Sequence, residues 1–437
     1  MKNKLLKLSI LSIILIAGSC SKYTEGLDTD PNSFSDSAPE LIIGQAQLGW
    51  MYLAESNSAR YAGIFTNQFT GSDRQYLNIE VYSITSTVFD DMWDDAYVEG
   101  ISQAQVTKEK AIENGNPQLT GVAQITEAAM MGEVAALWGD VPYSEANSVD
   151  DYYTPNYDSQ ESVYAEVQSL LDQGITNVGT EDASLYSGNR LASGSTWGVI
   201  AHSLKARYYL HTKEYDLALE EAQAGISSVE GDLEIQHGTS AENRNLFYQF
   251  TVDNRVGYLT VDDSYLYRLL DSSDDVDRIL TTPGDDTRFA HYFNGFELNT
   301  GDGGRFAQSN SFPLISYYEV KLIEAEAAYR TGDEPTALAA LNAVRAALAI
   351  EYDAEFPAST ATGNDLLLQI LEEKYITLIG ELQTFHDVRR TKNAMGIPPK
   401  TGTEIPQRFL YPQTELDNNP NTPSPTPGLF EATPVNE

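Results

Sequence analysis

The chain has 437 residues, enough for a few small domains or one large one, and its 41% hydrophobic and 21% charged residues are globular proportions that disfavour wholesale disorder, collagen and coiled coil. Lysine and arginine number 27 against 64 aspartate and glutamate, a formal net charge of −37. A polyanion of that size repels nucleic-acid phosphates and gives no basic surface for anionic lipid, although a covalent anchor would be indifferent to it.

The first element is an address. Lys2, Lys4 and Lys7 precede the apolar run Leu8 to Ala17, and small residues lead into Cys20, the only cysteine. Ten apolar residues fall short of the roughly 20 needed to span a bilayer. Residues 1–19 therefore read as a signal peptide, and its end resembles a bacterial lipoprotein signal in which Cys20 is lipidated, with Ala17 where leucine is usual. The plainer alternative is a secretory signal cut near Ser19 beside a bystander thiol. Residues 20–37 then form a lipidated tether, and 38–437 a single α-helical domain.

Apolar spacing predicts helices over Ala38 to Phe69, from a capping box at Thr87–Asp90 to about Ile112, and over Leu119–Trp138 and Gln160–Ile175. It predicts further helices over Thr196–Thr212, Tyr215–Val229, Pro313–Thr331, Glu334–Leu348 and Asp365–Gly380. Between Ser240 and Gly304 the period fails, which predicts long loops with a short hairpin. The tail from Gly396 holds nine of the 18 prolines and is expected to be irregular and frayed at its end. Small residues recur on helical-hairpin spacing in three places: Gly132 to Ala146; Ala206, Tyr209, Tyr215, Ala218 and Ala222; and Ala325, Ala328, Gly332, Ala337 and Leu341. Such spacing lets antiparallel helices approach closely, as in tetratricopeptide units.

No metalloprotease, nucleophile-elbow or phosphate-loop motif is present in the sequence. Asp94 and Asp95 are one of many acid pairs, and with 64 acids a close pair carries little information about glycoside hydrolysis. Asp271, Asp274, Asp275, Asp277, Asp285 and Asp286 offer oxygen ligands for calcium, but without the glycine and terminal glutamate of a twelve-residue calcium loop they read as a solvated loop. No enzyme activity, cofactor or metal is expected.

Ordered motifs run the length of the chain: L-D-T-D-P-N from Leu27, W-D-D-A-Y from Trp93, L-W-G-D-V-P-Y-S-E-A from Leu137 and D-D-T-R from Asp285. They continue with K-L-I-E-A-E-A from Lys321, L-N-A-V-R from Leu341, I-L-E-E-K-Y from Ile370, G-E-L-Q-T-F-H-D-V-R-R from Gly380, R-F-L-Y-P-Q-T-E from Arg408 and N-P-N from Asn419. In this order the chain resembles the SusD/RagB family of nutrient-binding outer-membrane lipoproteins. The resemblance implies a mainly α fold in which tetratricopeptide-like hairpins form a right-handed superhelix with an irregular, loop-rich ligand-binding face. It also implies lipid-anchored exposure at the cell outer membrane and a SusC-like TonB-dependent transporter as partner, to which the protein delivers an oligosaccharide or, in some relatives, a peptide. A helical-repeat scaffold that binds only proteins and an acidic surface glycosidase are the rival classes.

The ligand site is expected where two irregular aromatic segments converge: Asp73, Arg74, Tyr76 and Trp93 in one, His291, Tyr292, Asn294 and Phe296 in the other. Planar rings stack on sugar faces while polar groups meet hydroxyls. Tyr76 and Phe296 are expected to be exposed, and Trp93 is equally readable as core. Glu324, Glu326, Arg345, Glu381, Asp387, Arg389 and Arg390 are read as structural clamps, with Trp138 and Tyr143 as packing residues.

Overall fold

The computed structural model describes residues 37–146, 153–184, 186 and 190–437. Cys20, the signal peptide and the tether up to Asp36 lie outside the described residues. Among the described residues, helices of eight or more residues are α1 (Pro39–Glu55), α2 (Asn57–Phe65), α3 (Ser102–Glu113), α4 (Pro117–Trp138), α5 (Gln160–Val178) and α6 (Trp197–His211). The series continues with α7 (Tyr215–Ala224), α8 (Asp285–Tyr292), α9 (Tyr317–Thr331), α10 (Glu334–Glu351), α11 (Gly363–Thr377) and α12 (Gln383–Arg390). No helix among the described residues is long and apolar enough to cross a membrane.

The helices begin where local chemistry satisfies their free N–H groups. Asn116, Ser159, Thr196, Ser316 and Asp333 each accept a backbone N–H of their own first turn. Successive helices then pack in series, α3 on α4, α4 on α5, α5 on α6, α6 on α7, α7 on α9, and α9 on both α10 and α11. Antiparallel hairpins result where the connection is short; between α9 and α10, Gly332 takes a left-handed conformation that a side chain would disfavour. Helix α4 is buried on every side from Leu119 to Trp138, as expected of an element apolar all round. At Gly132 a β-carbon would lie 2.3 Å from the ring of Tyr208 on α6, so the glycine makes that close crossing possible. Ala206 and Ala325 of the repeat frame are fully buried.

Several expected boundaries move. The first helix breaks at Ser56 into α1 and α2. Thr87 caps nothing: Asp90 instead accepts the Thr414 N–H, and a π-helical stretch, Asp95–Ile101, carries the chain into α3. In the first repeat no helix follows Tyr143 among the described residues before α5, which starts at Gln160; Val141 pairs with Asp158. Helix α7 stops at Ala224, where Gly225 turns extended and lies so close to the Ser203 hydroxyl that a β-carbon would meet it at 2.7 Å. Pro313 to Ile315, expected as the start of a helix, belong to the edge strand Phe312–Ile315, a place that tolerates Pro313.

Among the described residues, seven short strands make three small sheets: β1 (Thr70–Gly71) with β4 (Leu259–Thr260); β2 (Leu191–Ala192), β3 (Leu233–Ile235) and β7 (Phe312–Ile315); and the hairpin of β5 (Phe293–Asn294) and β6 (Glu297–Leu298). The predicted hairpin is thus present, but Tyr265–Leu270 and α8 are helices where loops were expected.

Of the residues read as clamps, Glu326, Arg345, Asp387 and Arg390 do join separate elements, whereas Glu324 pairs with Lys321 of its own helix and Arg389 bonds backbone carbonyls and His386. Arg390 joins Glu326 and Asp387, while Glu373 gathers Arg288 and Arg345. Charges this deep in the core persist only when paired. The acidic loop is likewise neutralised from within, Asp274 and Asp275 by Arg268 and Asp285 by Arg278 and Arg288. No group of three or more acids or histidines among the described residues is arranged to hold a metal ion. Contrary to expectation the tail is tied down to its end: Val435 accepts from Lys213 and donates to Gln160, and Asn436 is buried. Irregular backbone can be ordered when its polar groups find fixed partners.

Candidate functional site

The roomiest cavity described is a cleft of about 630 Å³ on the irregular side of the chain, within the range of about 300–1,000 Å³ usual for ligand sites. Its walls come from the start of α2, from the segment between Gln75 and Asp91, and from Phe250 to Arg255. The β1–β4 pair brings these segments together by placing Thr70 opposite Thr260. Gly71 is required in that crossing, since a β-carbon there would lie 2.2 Å from the Tyr76 carbonyl oxygen. Behind the wall, Lys400 bonds Thr70 and Glu80, and Glu80 accepts the Gly71 N–H, which fixes the short helix Gln75–Glu80.

Inside the cleft the side chains form a linked set. The Tyr76 hydroxyl accepts from Arg60 Nε at 2.9 Å and faces Asn57 Oδ1 at 3.3 Å. The Tyr76 ring lies 4.9 Å from that of Phe250 and 5.6 Å, edge on, from that of Tyr61. The Arg60 guanidinium sits 4.2 Å over the Phe250 ring. Burial raises the pKa of both tyrosines, against the weaker opposing pull of Arg60, so they remain phenols able to donate. Asp91 is the single carboxylate of the lining. One carboxylate cannot supply the acid pair of glycoside hydrolysis, whereas rings beside hydroxyls, amides and guanidinium groups suit reversible binding of a polyhydroxylated ligand.

Of the residues expected from sequence, Tyr76 lines this cleft, but as a buried wall at 1% exposure rather than an exposed platform. Asp73 and Arg74 are exposed, pair with each other at 3.6 Å, and stand just before the Gln75–Glu80 helix. Trp93 belongs to the core: it packs edge to face on Trp138 at 5.3 Å and against Tyr97 at 4.6 Å. Its helix turns that face inward, which removes it from the site.

His291 and Tyr292 line a different cavity, of about 190 Å³, with Asp232, Glu234, Arg305 and Glu381 among its walls. Burial, the largest cause, lifts the carboxyls of Asp232 and Glu381 to about 8 and lowers the His291 pKa. Asn294 and Phe296 sit at the exposed turn of the β5–β6 hairpin. The two expected segments are linked through a third: the Phe296 carbonyl accepts the Val261 N–H just after β4, and β4 pairs with β1. Sequence reasoning missed Arg60, Tyr61, Phe250 and Arg255. A guanidinium inside the apolar run S-A-R-Y-A-G-I-F (Ser58 to Phe65) was the available signal for the first.

The profile of a SusD-like family, described as "Starch-binding associating with outer membrane", matches residues 31–412. Among solved structures, a SusD homolog from Bacteroides fragilis superposes with a TM-score of 0.67 at 20% identity, over 92% of this chain and 100% of that one. A SusD/RagB family protein from Bacteroides thetaiotaomicron gives 0.65 at 20% identity, over 88% and 95%. A chitin-binding SusD homolog from Flavobacterium johnsoniae gives 0.61 at 17% identity, over 87% and 92%. A search of curated protein sequences finds no significant match.

Proposed function

The chain belongs to the SusD-like family of outer-membrane-associated, starch-binding proteins, and from that premise we propose that it captures an oligosaccharide nutrient in the cleft between α2 and the Phe250–Arg255 segment. The observation that carries this is the half-buried Phe250 ring, backed by the buried rings of Tyr61 and Tyr76, beside Asn57, Arg60 and Arg255 around about 630 Å³. Stacking on sugar faces and hydrogen bonding to hydroxyls need both kinds of group at once. The peptide-binding alternative uses the same amides but has less need of the rings. Family membership also supports a binding protein rather than an enzyme.

The rest of the proposal concerns place and partner. Lipidation at Cys20 would hold the chain at the outer membrane, and a SusC-like TonB-dependent transporter would receive the ligand. Asp73 and Arg74 stand exposed just before the Gln75–Glu80 helix that lines the cleft, Asn294 and Phe296 are exposed at the β5–β6 turn, and His291 and Tyr292 line the second cavity; these residues are kept as further candidate contacts.

The test is a glycan array probed with the full-length protein in detergent, followed by calorimetry on the best ligand. Phe250→Ala, a half-buried position, is expected to weaken binding about fivefold or more, the worth of roughly 1 kcal/mol from one ring. Binding unaltered in a folded Phe250→Ala variant would remove the cleft from consideration.

A further inference from the structure

We infer that the cleft is built for an acidic saccharide, one carrying carboxylate or sulfate groups, and that Arg60 and Arg255 receive its negative charge. The inference rests on the binding reading above and adds the chemical class of the ligand.

Arg60 is 6% exposed, and a guanidinium taken that far from water normally keeps a carboxylate beside it. Elsewhere in this core Arg207 pairs with Glu319, Arg288 with Glu373 and Arg390 with Glu326, while the equally buried Arg389 and Arg408 are held by backbone carbonyls instead. Arg60 has no carboxylate partner among the described residues. Its hydrogen bonds go to two neutral acceptors, the Tyr76 hydroxyl from Nε and Asn57 Oδ1 from Nη2. A guanidinium has five N–H donors, so the remaining donors have no protein acceptor here. The Phe250 face compensates part of the charge without satisfying a donor.

Arg255, in the Phe250–Arg255 segment that lines the same cleft, adds a second guanidinium. It is exposed, donates only to the neighbouring Asn254 carbonyl at 3.1 Å, and has no acidic partner among the described residues. The lining therefore carries two guanidinium groups against the one carboxylate of Asp91, a local positive excess in a chain of net charge −37. With acids outnumbering bases 64 to 27, an arginine without an acid is the less expected outcome for this composition. The long-range repulsion of an anionic ligand by the whole chain is screened beyond about 8 Å at physiological ionic strength, whereas contacts inside the cleft are screened far less. A bidentate guanidinium pair with carboxylate or sulfate adds geometry to charge.

The experiment compares matched glycans on full-length protein by calorimetry after an array of neutral and acidic glycans. The probes are tetragalacturonate with its methyl ester, and chondroitin 4-sulfate with unsulfated chondroitin tetrasaccharide, together with any acidic array ligand and its neutral counterpart. The expected result is tighter binding of an acidic member by about tenfold or more, the worth of one charge-assisted hydrogen bond. That preference should shrink in 0.5 M NaCl and be lost in Arg255→Ala, whose exposed position leaves folding intact. Which pair responds distinguishes carboxylate from sulfate. Equal binding of neutral and acidic members, with Phe250→Ala weakening both, overturns the charge inference and leaves the cleft standing. Binding indifferent to Phe250→Ala, or no glycan retained, overturns both.

Discussion

Glu326 on α9 and Arg390 on α12 are joined by two parallel hydrogen bonds, 2.8 and 2.7 Å long, with both residues withdrawn from water. The pair fastens the last helix to the repeat helices across 64 residues of sequence. Arg390→Met would leave Glu326 buried without its main counter-ion, at an expected cost of about 3–5 kcal/mol. Adding Glu326→Met should restore much of the loss. Urea denaturation of both variants checks this, and equal midpoints for wild type and Arg390→Met would contradict it.

Acid should loosen the same network. Burial acts to raise the pKa of Glu373 and Asp387, but Arg288, Arg278 and Arg345 around the first and Lys374 and Arg390 around the second prevail and hold both at about 2. Their folded values lie below the unfolded ones, so their stabilisation is complete above about pH 4.5 and is lost as pH falls toward 2. Asp232 and Glu381 act oppositely: raised to about 8, mainly by burial, they favour the fold most below about pH 4, and that contribution is lost progressively as pH rises to 8. Stability measured from pH 2 to 9 should fall at both ends, and Glu381→Gln, which stays neutral, should flatten the alkaline side. An unchanged alkaline side in that variant would count against the buried protonated carboxyl.

The helix crossings can be tested by adding volume. Gly132→Ala pushes a methyl group against the Tyr208 ring, while Ala206→Leu and Ala325→Leu enlarge side chains that have no exposed surface. Each is expected to cost roughly 1–3 kcal/mol. Thermal denaturation is the measurement, and three unchanged midpoints would mean that these helices do not approach as closely as described.

Cys20→Ser is expected to move the protein from the membrane to the soluble fraction and to abolish labelling by palmitate, since no described helix can span a bilayer. Fractionation is done in cells lacking the partner transporter, so that docking does not mimic an anchor. Full retention of the variant would refute the lipid anchor.

What the sequence determined by itself was periodic or ordered along the chain. The helical spacing of α4, α5, α6, α9 and α10 is a local consequence of which face must leave water, and it was legible within a few residues. The ordered motifs likewise identified the family, and Glu326, Arg345, Asp387 and Arg390 were correctly read as clamps because a buried charge requires a partner. Tertiary structure alone decided the site. Trp93 and Tyr76 have similar local surroundings in sequence, yet one packs on Trp138 and the other on Phe250, and that difference depends on contacts 45 and 174 residues away in number. Arg60 became notable only when no carboxylate among the described residues arrived beside it, a tertiary fact that no local window contains. Pairings such as Thr70 with Thr260 carry no period and no motif. Their reason is geometric, since two-residue strands have too few side chains to encode a register and are aligned by the helices that flank them.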